Sequence, residues 1–371
     1  MKNLLAAITL ASLALGSGLA ARAQALEHKV KVFILAGQSN MEGHGQLRSL
    51  AHLGDHPEHG ELLKKLQDER GAWAIRDDVT IAWRAKAKGS GPLTVGWGAH
   101  DDEIGPELMF GTIMGERYDE PVLLIKVAWG GKDVFCDFRS PGAGPPTGDA
   151  AQLLERERAK GNEREVGLTY RKMIAEIRTT LENLEEVVPG YAGQGYELAG
   201  MAWFQGWNDY CRWREAPGII DAYPRNLAAM IRDLRADLGA PEMPVVIGEM
   251  GVGGREFEER AQDEGDGEAR SMIAFRRAQR AAAEDESLAG VTFVPTADFW
   301  DVRLEELRRM KDAYSNEKQR QGIPNTEDNQ LPTKALTDEF VSQGGHWYCH
   351  YNGSAANYAL IGYALAMALD P

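Results

Sequence analysis

Ser39 lies in the run Gly37-Gln38-Ser39-Asn40-Met41, directly behind an apolar, β-rich stretch at residues 30–36. A small polar residue behind a glycine at that point sits at the carboxyl end of a strand, where open α/β sheets build their crevices. A serine hydroxyl is a weak nucleophile at its own pKa, so it needs a base to take its proton and donors for a tetrahedral oxyanion. The chain carries candidates for both. Gly131, in Ala128-Trp129-Gly130-Gly131, and Asn208, in Gln205-Gly206-Trp207-Asn208-Asp209, each stand at the end of an apolar run. An amide donates to an oxyanion without carrying charge, and a glycine lets backbone N–H come close to substrate; Gly130 is a second choice for that place. His346 and His350, shortly before the last helical pattern, compete as the base. Taken singly, Ser39 could be a helix cap and Asn208 a turn residue. Their joint occurrence favours chemistry. An α/β-hydrolase elbow would need Gly-x-Ser-x-Gly, and position 41 is Met.

The elements that must hold these residues can be read from periodicity. Strand-type runs occur at residues 30–36, 79–83, 122–129, 198–204, 244–247 and 291–295, with helical patterns between most of them. Leu108, Met109, Ile113 and Met114 follow Gly105-Pro106; Tyr170 to Leu184, Leu227 to Leu238 and Tyr358 to Leu365 keep i, i+3, i+4 spacing. Alternating strands and helices imply an α/β fold of three layers, α/β/α, with a central parallel sheet. Polar stretches at 44–78, 132–166, 251–267 and 302–345 read as long loop insertions at the sheet ends. One domain over residues 26–371 is the economical reading.

Residues 1–25 have the order of a secretory signal peptide: Met1-Lys2-Asn3, an apolar stretch broken by Gly16 and Gly18, then Ala23-Gln24-Ala25. Cleavage is expected after Ala25, which implies a secreted or periplasmic protein with no stable membrane insertion. The formal charge of −15 disfavours nucleic acid and anionic lipid as partners. Three cysteines, Cys136, Cys211 and Cys349, exclude a disulfide scaffold and a four-thiolate metal site. His52, Asp55, His56 and His59 have metal-like spacing but lie in a charged segment that reads as a solvated loop. No cofactor is called for. Trp129, Trp203, Trp207 and Trp347 cluster near the candidate blocks, mostly as core with one or two free to face a sugar ring, and Arg139 is a candidate contact for a substrate carboxylate or hydroxyl.

In order, Ser39, Gly131, Gly206-x-Asn208-Asp209 and a C-terminal His resemble the four blocks of the SGNH hydrolase superfamily, which has a flavodoxin-like fold. GQSNM, the WGG turn, FQGWND and HYNGSA are similar to the sialate O-acetylesterase-like branch, related to carbohydrate esterase family 6. The resemblance implies a serine esterase that removes O-acetyl groups from a carbohydrate, as a sialate O-acetylesterase or acetylxylan esterase does, through an acyl-serine. It assigns Ser39 as nucleophile, His350 as base, and Gly131, Asn208 and the Ser39 amide as oxyanion donors, with His346 structural. It also brings the Asn208 and His350 segments together, so a Cys211–Cys349 bridge is expected. One position departs from the pattern. The Asp usually found three residues before the base is Trp347 here. Either the Trp347 carbonyl accepts the Nδ1 proton of His350 in a Ser-His dyad, or Glu249, Asp298 or Asp301 supplies a carboxylate. A lipase or thioesterase on the same fold and a non-catalytic carbohydrate-binding protein are the rival readings.

Overall fold

The computed structural model describes residues 28–320 and 331–369, so the expected signal peptide lies outside the described residues. Seven strands form the central sheet: β1 (Val30–Gly37), β2 (Arg76–Trp83), β3 (Gly89–Leu93), β4 (Val122–Ala128), β5 (Tyr196–Phe204), β6 (Val245–Gly248) and β7 (Val291–Val294). Their order is β3-β2-β4-β1-β5-β6-β7, and all neighbours are parallel except β3 against β2. The six parallel strands are those expected from the apolar runs. The edge strand β3, Gly-Ser-Gly-Pro-Leu, carries no strand signal, because its pairing with β2 and not its composition holds it extended.

Eight main helices are α1 (Glu107–Arg117), α2 (Gly148–Ala159), α3 (Leu168–Glu182), α4 (Gly218–Asp237), α5 (Gly267–Ala283), α6 (Val302–Arg320), α7 (Leu331–Gln343) and α8 (Ala355–Ala368). On one side of the sheet α1 packs with α8; on the other α3 lies against β4 and α4 packs with α5. This is the α/β fold of the sequence reading, with β1 buried at the centre. The expected loops differ. The stretch from 132 to 166 contains α2, and that from 302 to 345 contains α6 and α7. The start of α6 buries only two apolar residues, Leu304 and Leu307, against Phe340 of α7, and is otherwise laced by ion pairs one turn apart: Glu305 meets Arg308 and Arg309, each at 2.7 Å, and Arg308 meets Asp312 at 2.7 Å. Such a helix gives little hydrophobic periodicity to read. No helix among the described residues is long and apolar enough to cross a membrane.

Register builds the crevice. Gly37 pairs with Ala128 on one side and Phe204 on the other, so β1, β4 and β5 end at one level. The chain leaves β1 for one half of the sheet and later returns for the other, which makes this the topological switch point where α/β sheets bind ligands.

Candidate active site

Three turns leave the sheet at that level. Ser39 opens the short helix Ser39–Glu42 behind β1, Gly130 and Gly131 turn after β4, and Asn208 lies in the helix Trp207–Tyr210 behind β5. The turns are packed too closely for side chains. A Cβ on Gly37 would lie 2.1 Å from the Phe204 carbonyl oxygen, and one on Gly130 would lie 3.0 Å from Glu42 Oε2. Gly131 has φ +75°, a conformation that favours glycine.

Below the serine turn, Lys126 of β4 is fully buried. Its Nζ donates to the carbonyls of Glu42 and Trp97, each at 2.7 Å, and to Glu107 Oε2 at 2.9 Å, over the face of Trp83. Removing one partner of such a pair typically costs about 3–5 kcal/mol, because the other charge is left buried alone. Lys126 therefore fixes the end of the serine turn. In the sequence it is one cation inside an apolar run, with nothing to show what it meets.

The amide of Gln38 ties the serine turn to the Asn208 turn. Its Oε1 accepts from the backbone N–H of Gly206 and of Asn208, both at 3.3 Å, and from Gln205 Nε2 at 3.1 Å. Two of those donors are backbone N–H groups, so the orientation of the Gln38 amide is settled. Its Nε2 then faces Asn208 Oδ1 at 3.1 Å. Asn208 Nδ2 is consequently turned toward the Gly131 side, where it lies 3.9 Å from a Cβ built on Gly131. Asp209, buried, accepts from the N–H groups of Val134 and Phe135 and from Gln205 Nε2 at 2.7 Å, fastening this turn to the segment after Gly131. Gln38 and Gln205 were not singled out in the sequence. A signal existed: each is the first residue beyond a paired strand end, and both lie inside the blocks that were.

Opposite this wall, His350 Nε2 lies 3.0 Å from Ser39 Oγ. For Nε2 to accept the serine proton, the ring proton must sit on Nδ1. Nδ1 meets His346 Nδ1 at 3.1 Å, so His346 accepts there and carries its own proton on Nε2. Both expectations for the third member need correction. The Trp347 carbonyl accepts the backbone N–H of His350 at 2.9 Å and not its ring. The three acids are engaged elsewhere: Glu249 with the N–H of Ala297, Asp298 with Arg255, and Asp301 with the N–H of Leu304. His346, expected to be structural, is the group at Nδ1.

His44 lies flat against both rings, with centroids 4.1 Å from His350 and 4.8 Å from His346 and planes within 15°. Its Nδ1 is 3.1 Å from Glu103 Oε2. Burial pushes the Glu103 carboxyl up, but the bonds from His44 and Gln46 outweigh it and hold it below the usual range. Burial, with His44 and His346 adding to it, pushes the His350 imidazole down to about 3; burial and then His44 also lower His346. Both rings are neutral near pH 7 on this account. The ligand atoms of the three histidines fall within 4.8 Å of one another, as a metal centre would require. The near-parallel rings keep their lone pairs in near-parallel planes, however, while tetrahedral ligands must converge on one point. The donor set therefore fits a hydrogen-bonded stack better than a metal.

The loop that carries this stack is strained. Tyr351 and Asn352 have φ +52° and Gly353 +80°, three left-handed residues in succession. A left-handed tyrosine costs on the order of 1–3 kcal/mol and persists only where its surroundings fix it. Tyr351 is fully buried and its hydroxyl accepts from the N–H of Gly251 at 3.0 Å; Asn352 Nδ2 donates to Glu305 at 3.2 Å; Asn40 Nδ2 donates to the Cys349 carbonyl at 3.0 Å.

Other candidates take simpler places. Arg139 is buried and donates to the carbonyls of Phe135, Ala143, Gly144 and Pro145, which leaves it no role toward substrate. Cys136, Cys211 and Cys349 are free thiols, so the expected Cys211–Cys349 bridge is not formed; Cys211 is exposed and Cys349 half-buried. His52 pairs with Asp55, and His56 Nδ1 accepts from the N–H groups of Glu58 and His59, which accounts for their spacing as loop structure. Trp203 is core, Trp129 and Trp207 are half-buried, and Trp347 is exposed.

The model of the family described as carbohydrate esterase, sialic acid-specific acetylesterase, matches residues 29–290. The chain belongs to this family. The matched part of this carbohydrate esterase contains Ser39, Gly131 and Asn208 and ends before the histidine loop. No curated protein matches the chain. Among solved structures it is similar to a protein from Arabidopsis thaliana, at 15% identity over 91% of this chain and 97% of that one, with a TM-score of 0.45. It is also similar to a carbohydrate acetylesterase from Xanthomonas citri, at 15% identity over 73% of this chain and 51% of that one, TM-score 0.43. A third is NanS, at 14% identity over 72% and 78%, TM-score 0.44.

Proposed function

We propose that this carbohydrate esterase removes acetyl groups from an O-acetylated carbohydrate through an acyl-serine, with Ser39 and His350 as a dyad. The observation that carries the reading is the 3.0 Å contact between Ser39 Oγ and His350 Nε2, facing an Asn208 amide turned toward the Gly131 turn. Ser39 Oγ attacks the acetyl carbonyl while His350 Nε2 takes its proton. Asn208 Nδ2 and the backbone N–H groups of Gly131 and Ser39 hold the oxyanion, and His350 returns the proton to the departing sugar hydroxyl. Water, activated by the same imidazole, then releases acetate and restores the serine. Neutral His350 is the form that can accept a proton, and burial keeps it so. The leader-like order of residues 1–25 supports a secreted or periplasmic site for this activity.

Covalent labelling tests the assignment. A fluorophosphonate is expected to modify Ser39 in the wild type and to leave folded Ser39→Ala unmodified, with loss of p-nitrophenyl acetate turnover. Labelling at another serine, or equal labelling of both proteins, rejects it.

A further inference from the structure

Trp347 stands in the position where the acid of the related blocks is usual, and it is 71% exposed. Its ring rests on His350, with centroids 5.7 Å apart and planes at 23°, and tilts against His346 at 5.5 Å. Neighbouring packing holds it there. The Trp347 carbonyl is bonded to the His350 N–H, and Tyr348 is wedged edge-on against Trp300 and Trp207. One face of the indole is thus committed to the base, and the rest of the ring is open to water. A single exposed aromatic needs no explanation on a surface. Here it is fixed in orientation against the reacting imidazole.

Arg48, Arg139, Arg164 and Lys132, each near one of the site segments, are engaged by the chain itself. Arg48 donates to the carbonyls of Val341 and Gly344 and to Gln46, Arg139 to four carbonyls, and Arg164 to Asp133 and Asp137. Lys132, next to Gly131, lies 3.5 Å from Asp137. Recognition of a sugar carboxylate favours a guanidinium fork with donors to spare, and these forks are occupied by the chain itself. A net charge of −15 adds to the bias against an anionic substrate.

We infer that the open face of Trp347 is a stacking platform for a neutral O-acetylated sugar, so that the preferred substrate is an uncharged glycan and not an acidic one. This rests on the esterase reading above. Stacking on Trp347 would hold the sugar at the mouth of the site, next to the loop that carries His350, and leave its acetyl ester to extend toward Ser39.

The test measures kcat/KM of the wild type, Trp347→Ala and Trp347→Phe on three esters: acetylated xylo-oligosaccharides, an O-acetylated sialoside and p-nitrophenyl acetate. The alanine variant is expected to lose roughly tenfold more on the oligosaccharide than on p-nitrophenyl acetate, chiefly through KM, with phenylalanine restoring most of it. The wild type is expected to prefer the oligosaccharide to the sialoside. Equal losses on oligosaccharide and p-nitrophenyl acetate would mean that Trp347 acts only on His350, and a preference for the sialoside would overturn the neutral class. Absence of turnover on all three esters by the wild type would instead remove the esterase reading, and this inference with it.

Discussion

The wall around Asn208 and the wall around His350 face each other across Ser39, and they are held by different means. The first is an extension of the sheet. Its turns start from strand ends in register, Gly37 beside Ala128 and Phe204, and neutral amides from Gln38, Gln205 and Asn208 lock them with donors matched to acceptors. The second hangs between α7 and α8 on a left-handed backbone, fixed by the side chains of Asn40 and Glu305 and by the backbone N–H of Gly251, which donates to the Tyr351 hydroxyl. The first wall keeps one carboxyl, Asp209, which burial and then Asp133 push up to about 8, among its neutral amides, while the other is a stack of three imidazoles. The amide wall supplies the donors that face the oxyanion, and the imidazole wall supplies the base whose protonation the reaction needs.

Breaking the amide wall gives the largest expected effect. Asn208→Ala removes a donor whose bond strengthens as charge develops, so kcat should fall about 10²–10³-fold, corresponding to roughly 2.7–4 kcal/mol, with little change in KM. Steady-state kinetics on p-nitrophenyl acetate check this. A loss confined to KM would make Asn208 a ground-state contact.

Gln38→Ala attacks the same wall through its lock. It leaves the N–H groups of Gly206 and Asn208 without their acceptor, and an unsatisfied buried donor costs about 1–3 kcal/mol. Urea denaturation should show a loss of at least about 1 kcal/mol. Unchanged stability would mean that the amide network is incidental.

The imidazole wall is probed by pH. Since His350 is pushed down from the ordinary imidazole value to about 3, its neutral, basic form persists well below pH 6.5. Activity should be lost only as pH falls through the lowered value, so kcat/KM should show its acid limb well below 6.5, so far as the fold survives. The sign for stability is the same: the contribution from neutral His350 is complete above about 6.5, the unfolded value, and declines as pH falls toward 3. An acid limb at 6.5 or above would contradict this burial effect. The smallest effect is expected from His44→Ala, which removes one of the groups that depress His350. The limb should move up toward 6.5, with a plateau loss well short of that in Asn208→Ala.

The two walls also differ in how legible they were in the sequence. All six parallel strands showed as apolar runs, and Ser39, Gly131 and Asn208 could be placed because each follows such a run directly. His350 was located from the motif, but its surroundings were not. His44 comes from a polar stretch far away in sequence, and nothing local marks a ring that will stack on another. The motif singles out His350 alone, and nothing local in the sequence shows that His346 stands at its Nδ1. The Cys211–Cys349 bridge failed for a related reason, since bringing two segments together does not fix the geometry that a disulfide needs. Arg139 reads as a candidate substrate contact because its carbonyl partners lie in a turn whose shape the sequence does not announce.

The central claim, a serine and histidine working without a carboxylate, is tested most directly by comparing turnover of four folded variants on p-nitrophenyl acetate. Replacing the orienting acid of a serine protease by its amide costs about 10⁴ in kcat, and a neutral imidazole should contribute less, on the order of 10². The account predicts that His346→Ala loses turnover on that scale, while Glu249→Gln, Asp298→Asn and Asp301→Asn each stay within roughly tenfold of the wild type. Collapse of any one of the acid variants, with His346→Ala unaffected, would contradict it and identify a carboxylate as the third member.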